Sequence, residues 1–393
     1  MNQYFVDLHV HIGRSSRGNI VKRATANNLT LENIAQECLY RKRIDIIGIV
    51  DAISPHVIFD IEMLLESGVV EPITGGGLLY HGRLTILLGA EIETREENGC
   101  RSHSLVFFPD FEQIKKFSGD MEKYIKNIHA CCSTAHLTGQ QLYDIVNDHG
   151  GLYIPAHAFT PYKSFYGNCT HTLKEIFSED ALNNMPSIEL GLSADTYMAD
   201  MLKELADKTY LSNSDAHSLP KIGREYNTLR LKAGNFREVL MALKRQQERA
   251  ITGNYGLNPK LGKYHRTFCI NCNSILKGKP PINKCPLSDK HKVVVGVLDR
   301  LEQIKDPGYK STVERPPYHY QIPLEFIPGI GPKTIDKLLK VFGTEMNVLH
   351  KATFSQLRDV VSEKNARLII SARKGDLNMK TGGGGNYGKI LEY

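Results

Sequence analysis

The sequence predicts an α/β barrel with a multi-metal centre, followed by a small zinc-binding module and an α-helical hairpin domain. Three observations predict it. Five apolar runs of strand length carry imidazole or carboxylate side chains at or beside one end: Tyr4 to His11, Leu84 to Glu91, His103 to Phe108, Leu152 to His157 and Thr209 to Ser214. Helical stretches such as Leu31 to Arg41, Gln140 to Asp148 and Phe236 to Gln246 alternate with such runs, the pattern of a parallel sheet flanked by helices. Beyond Gly253 the composition changes, first to a Cys-x-x-Cys group and then to a Pro-Gly-Ile-Gly-Pro turn.

The barrel comes first, over residues 1–255. Ligands collected from the ends of several strands are characteristic of (β/α) barrels. In a strand, residues i and i+2 face the same way, so His9 and His11 can grip one cation, with Asp7 beside them. Glu91 can bridge two metals; His103, His157, Asp215 and His217 complete the set, with Glu91, Asp215 and His217 as the expected catalytic residues. One such histidine alone would more simply be a core residue. Buried polar groups are costly, however, and five strand ends would have to carry them idly. Mixed imidazole and carboxylate donors suit Zn, Mn or Fe better than Ca or an all-oxygen Mg site. Paired metals hold a phosphate ester, activate water and stabilise the leaving oxygen, so the expected reaction is phosphate ester hydrolysis.

The second element, residues 256–310, carries Cys269, Cys272 and Cys285 with His291 close behind, the donor set of a tetrahedral structural zinc; Asp289 is the alternative fourth ligand. A redox dithiol is the rival reading, but no thioredoxin-like βαβ pattern surrounds the pair. The other cysteines (38, 100, 131, 132 and 169) show no framework and read as buried or idle thiols of a reducing compartment.

The third element, residues 311–393, follows the Pro-rich stretch Asp306 to Pro323. Phe326 to Leu339 resembles a helix-hairpin-helix: Gly329 and Gly331 allow close backbone approach, a helix opens at Pro332, and Lys333, Thr334 and Lys337 face a phosphate. A second helix is expected over Asn365 to Lys374, and Gly382 to Gly385 reads as a hinge or disordered tail. Residues 256–393 hold 23 Lys and Arg against 12 Asp and Glu, a net +11, which leaves −5 for residues 1–255. An acidic catalytic half with a basic tail implies a polyanionic partner. No run approaches the roughly 18 apolar residues that span a bilayer, and the first strand begins without a signal-peptide layout, so a cytoplasmic protein without a membrane partner is expected.

Asp7-Leu8-His9-Val10-His11, Glu91, His103, His157 and Asp215-Ala216-His217 resemble the motifs of the PHP (polymerase and histidinol phosphatase) family. The resemblance implies a distorted (β/α)7 barrel with two or three divalent metals (Zn, Mn or Mg). The family's Thr-Asp-His reads Val50-Asp51-Ala52 here, and its acidic residue in the loop after the first histidine pair is replaced within Gly13 to Asn19. Asp51 is still expected to bind metal, with His56 or His81 as substitutes for the missing imidazole.

The order of barrel, Cys-rich module and hairpin, with the phrases Gly151 to Thr160, Glu189 to Asp195 and Leu211 to Ser218, resembles the PHP-domain DNA repair endonucleases. That resemblance implies incision 5′ to a deaminated base (hypoxanthine, xanthine or uracil) or an abasic site, with damaged DNA and replication or repair proteins as partners. Base flipping then requires a pocket, and Phe159, Tyr162, Lys163, Ser164, Phe165 and Tyr166 are its expected lining or wedge. The alternatives are a small-molecule phosphatase of the histidinol-phosphate type, which leaves the basic tail without use, and a non-catalytic DNA-binding protein with a degenerate barrel.

Overall fold

The computed structural model describes residues 1–130, 134–375 and 377–391. The barrel strands are β1 (Asn2–Val10), β2 (Ile46–Ile49), β3 (Val70–Pro72), β4 (Leu78–Tyr80), β5 (Leu84–Arg95), β6 (Arg101–Phe108), β7 (Leu152–Pro155), β8 (Ser187–Glu189), β9 (Thr209–Leu211), β10 (Tyr226–Leu231) and β11 (Ala250–Gly256). Seven of them close a ring. β1, β2 and β5 pair in parallel, β6 joins β5, and β7 joins β6. From β7 the chain reaches β8 through Ala158 N–H to the Glu189 carbonyl (2.9 Å), and β8 pairs in parallel with β9. Just beyond β9, Ala216 closes the ring on β1 by exchanging bonds with His9 and His11 (both 3.1 Å).

The expectation of a parallel sheet is corrected, because β6 runs antiparallel to both of its neighbours, β5 and β7. Five residues separate β5 from β6, too few for the dozen or more that a parallel crossover needs. This hairpin is what distorts the barrel. β10 and β11 extend the sheet beyond β1, and β15 (Tyr318–Tyr320) adds to β11.

Helices start where the sequence offers caps: Thr30, Asp110, Thr138 and Asn235 each accept a first-turn N–H. The helix Phe236–Leu243 buries Phe236, Val239 and Leu243 against Val6, Leu8 and Leu229 of the strands. Each such side chain removed from water contributes about 1.5–3 kcal/mol.

The Cys-rich module is a three-stranded scrap, with β12 (Phe268–Cys269) between β13 (Ser274–Ile275) and β14 (Val293–Val294). Its following helix, Val297–Ile304, buries Val297 and Leu301 in the barrel's own apolar core. The C-terminal region packs helices Pro332–Phe342, Glu345–His350, Phe354–Arg358 and Glu363–Lys374 around Leu338, Val348, Leu357 and Ile369. A buried Lys42–Glu345 pair (2.7 Å) ties it to the barrel.

Two further expectations change. Cys100 and Cys169 form a disulfide, whereas Cys38 is a buried thiol as read; Cys131 and Cys132 lie outside the described residues. Gly382 to Gly388 is an ordered strap, with the N–H groups of Gly382 and Gly388 bonded to the carbonyls of Lys260 and Leu261 (both 2.8 Å). Glycine is what permits this contact: a Cβ on Gly382 would lie 2.4 Å from the Gly262 oxygen. No helix among the described residues is long and apolar enough to cross a membrane.

Candidate metal centre and nucleic-acid interface

β1 projects Asp7, His9 and His11 to one side, all fully buried. Asp7 is structural: its carboxylate accepts the N–H groups of Ser214 (3.1 Å) and Gly223 (3.0 Å), and so pins the Asp215 loop to the barrel. His9 Nδ1 bonds Glu189 (3.0 Å) and His11 Nδ1 bonds Asp51 (2.9 Å), which turns both Nε2 atoms inward. They approach each other to 3.3 Å, and Asp215 Oδ1 lies 3.5 Å from one and 3.4 Å from the other. Ligand atoms placed tetrahedrally at about 2.1 Å from a metal are about 3.4 Å apart. The triad therefore fits one divalent ion.

Glu91, His103 and His157 make a second triad. Glu91 Oε1 lies 2.7 Å from His103 Nδ1 and 3.2 Å from His157 Nε2, while Oε2 is 3.5 Å from His11 Nε2. One carboxylate thus faces both triads, as a bridging ligand must. Glu93 holds the far nitrogen of His103 (3.2 Å), and Thr160 Oγ1 meets His157 Nδ1 (3.2 Å). His157 and Asp215 both adopt positive φ (28° and 45°), which costs about 1 kcal/mol or more each and turns their side chains back over the strand ends.

Charge in this cluster is set by mutual pairing. Burial opposes ionisation of Glu91, yet His103 and Lys22 hold its carboxyl well below the usual range. Burial likewise opposes protonation of His9, but Glu189, Asp215 and Glu91 push it up to about 10. Burial, helped by His11 and Lys22, pushes His217 down to about 4 and leaves it neutral.

Several expected ligands stand elsewhere. Asp51 stands outside the two triads: its Oδ2 accepts from His11 Nδ1 and from Ile12 N–H (2.7 Å). His217 sits beside the first triad, its ring 4.6 Å from that of His11. His56 stacks near His129 and His81 near Tyr80, outside both triads. Glu189, Glu93 and Lys22 are the residues that pattern reading misses. Glu189 ends β8, a strand of three residues, and only its place at a strand end could have marked it.

The aromatic loop after His157 also needs correction. Phe159, Ser164, Phe165 and Tyr166 are buried, since the rings pack into the core and Ser164 caps the turn after it. Lys163 pairs with Glu93 (2.7 Å). Tyr162 alone of that group is strongly exposed among the rings, and it walls a cavity of about 470 Å³ that opens beside His157, Asp215 and His217. Tyr264 meets Tyr162 edge-on (5.6 Å), and Tyr387 of the strap completes the wall, its hydroxyl accepting from Arg224 (2.8 Å). Lys221, Arg224 and Lys263 line the same space.

No protein-family profile matches the sequence. The crystal structure of the lesion-specific endonuclease Q of Pyrococcus furiosus superposes with a TM-score of 0.83 and 31% identity, over 99% of this chain and 95% of that one. The chain belongs to the endonuclease Q family. An endonuclease Q bound to a 27-mer duplex with an abasic lesion at its active site is similar at a TM-score of 0.85 and 31% identity, over 100% of this chain and 97% of that one. The uncharacterized protein YqxK of Bacillus subtilis is 45% identical over 396 aligned residues, 99% of this chain and all of its own.

In this endonuclease Q family member the Cys-rich group closes into a second donor set. Cys272 and Cys285 Sγ are 3.7 Å apart, and His291 Nδ1 lies 3.3 to 3.7 Å from all three sulfurs. Tetrahedral Zn–S bonds of about 2.3 Å give edges of about 3.8 Å, so these four residues suit zinc. Asp289 is exposed, faces Lys284 and stands outside this donor set, which His291 completes.

The hairpin has Gly329 at φ 80°, its carbonyl held by Asn365 Nδ2 (3.1 Å), then Gly331 and the helix from Pro332. Lys333 and Lys337 are exposed on that helix, while Ile335 and Leu338 face the core. The arm before the hairpin is only a single turn, Leu324–Phe326.

Proposed function

We propose that this chain is a metal-dependent DNA repair endonuclease that hydrolyses the phosphodiester 5′ to a damaged nucleotide, either a deaminated base (hypoxanthine, xanthine or uracil) or an abasic site. One observation carries the reading: the two ligand triads open into a cationic, tyrosine-walled cavity, with Asp215 and His157 belonging to both. The family relative held on an abasic duplex supports DNA as the substrate class.

Divalent ions held by the triads would activate water and stabilise the leaving oxygen. Around them the chain's own residues divide the work. Glu91 keeps the triads in register, Glu189 and Asp51 fix the imidazoles, and His217 stands at the cavity mouth beside Asp215. Lys221, Arg224 and Lys263 pair with backbone phosphates, and Tyr162, Tyr264 and Tyr387 receive an extruded base. Extrusion costs a few kcal/mol, least for a damaged base. The Cys-rich module holds one structural zinc, the hairpin grips backbone phosphate, and the protein works in the cytoplasm, at the nucleoid if the cell is bacterial.

The test is incubation with Mn²⁺ or Mg²⁺ and labelled duplexes carrying inosine, uracil, an abasic site or no lesion. Nicking that depends on the lesion supports the reading. Hydrolysis of small phosphomonoesters alone would favour the phosphatase, and binding without cleavage a non-catalytic role.

Base stacking on an aromatic ring is worth about 1–3 kcal/mol. Tyr162→Ala should therefore slow incision of inosine duplexes about fivefold or more at subsaturating DNA, and affect abasic duplexes much less; equal losses on both would remove Tyr162 from base recognition. At the hairpin, the double substitution Lys333→Ala and Lys337→Ala should reduce the slope of log K against log salt by about 2, or 0.9 per lost phosphate contact. An unchanged slope in a fluorescence anisotropy titration would clear both lysines.

A further inference from the structure

We infer that the Lys22 ammonium is a built-in cation of the metal centre, so that the barrel loads two divalent ions and Lys22 supplies the charge a third would bring to a bound phosphate. The inference rests on the reading of the two triads as metal ligands.

Lys22 Nζ lies 2.8 Å from Glu91 Oε2 and 2.8 Å from His11 Nε2. It therefore touches a member of each triad. The side chain is only 11% exposed. Lysine is rarely buried unless paired, and here the acidic groups are those of the centre itself.

Its delivery is built into the backbone. The N–H groups of Val21 and Lys22 both reach the Gly13 carbonyl (2.9 and 3.3 Å), and Thr25 Oγ1 donates to the Lys22 carbonyl (2.6 Å). A Cβ at Gly13 would come within 2.3 Å of the Ala26 oxygen, so the loop closes tightly over a position only glycine fills. A lysine held this way is not a surface side chain that happens to fold inward.

An ammonium has three donors: Glu91 takes one, and Nζ also lies 2.8 and 3.1 Å from the two ring nitrogens of His11, whose Nε2 faces the first ion once that is bound. Lys22 also lines a small cavity of about 60 Å³ with Glu91, His103 and Lys163. That space is large enough for a water or one phosphate oxygen beside a remaining donor. On the other edge of His11, Asp51 is engaged with Nδ1 and Ile12 N–H. An ion placed between Asp51 and Glu91 would meet the Lys22 charge at close range, and like charges there repel.

The test counts ions without using substrate. Metal-stripped full-length protein that retains its Cys-bound zinc is titrated with Mn²⁺, and free Mn²⁺ is read by electron paramagnetic resonance. The wild type should take up two equivalents in the barrel, and so should Lys22→Met and Lys22→Arg. Lys22→Glu, which puts a carboxylate beside Asp51 and His217, should take up a third. Nicking of abasic duplexes should fall about a hundredfold or more in Lys22→Met and recover in part in Lys22→Arg, with duplex binding unchanged.

Three equivalents in the wild type, or undiminished nicking by Lys22→Met, would overturn the inference. Fewer than two in Lys22→Met would overturn it as well, since Lys22 would then merely support the fold. If no duplex were nicked even by the wild type, the endonuclease reading would fail while the ion count still decided the role of Lys22.

Discussion

Exchanging Glu91 for glutamine is expected to cut the nicking rate about a thousandfold or more and to lower the metal content of the barrel, while duplex binding changes little. The shape of the side chain is nearly kept, so packing is not the cause. What changes is charge and donor set: one oxygen of Glu91 faces His103 and His157, the other His11 and Lys22, and the amide can serve only one side as an acceptor. Ions held at both triads would supply charge stabilisation of the transition state worth several kcal/mol, and losing about 4 kcal/mol of it is a thousandfold. Binding should persist because the phosphate contacts proposed above lie elsewhere, on Lys221, Arg224, Lys263, Lys333 and Lys337. Metal analysis beside a single-turnover nicking assay checks it. Glu91→Gln with full metal content and undiminished nicking would take Glu91 out of the centre.

The ligands are legible in the sequence for a physical reason. A buried strand rejects histidine and carboxylate unless something pairs with them, so His9, His11, Glu91, His103 and His157 stand out against apolar neighbours. What pairs with the ligands is harder to read. Lys22 sits in an irregular loop where any lysine would pass for solvent-facing, and Glu93, on the same face as Glu91 by strand alternation, shows its partner only in the β5–β6 register, which sets it opposite His103. That hairpin has its own signal, Asn98-Gly99 between two apolar runs, with Gly99 at φ 82°.

The aromatic loop misleads because ring content alone does not distinguish a pocket from a core. Phe159, Phe165 and Tyr166 each bury a large apolar area once the chain folds over them. The tyrosines that do face the cavity come from three distant places, 162, 264 and 387, and only the strap and the Cys-rich module bring them together.

This convergence makes the Cys-rich module the second place where a small change should have a large effect. Its own core is minimal: Cys269, Leu276 and Cys285 are buried, with Ile282 and Val293 partly so, around strands of two residues each. So little apolar surface cannot offset the entropy of ordering the segment. A structural zinc contributes about 10–16 kcal/mol in small modules, more than such a core can replace. Cys272→Ser is therefore expected to lose one equivalent of zinc and to open the segment 266–294 to proteolysis. The barrel should stay folded, since its apolar clusters draw on Val297 and Leu301 but on no side chain of residues 266–294. Lys263 and Tyr264 enter the cavity just ahead of this segment, and Phe268 packs against the strap at Gly384. Loosening the module should thus loosen the cavity wall, and incision of inosine duplexes should fall at least about tenfold while barrel metal content is kept. Retention of the zinc equivalent and of protease resistance by Cys272→Ser would show that the four residues do not hold the module together.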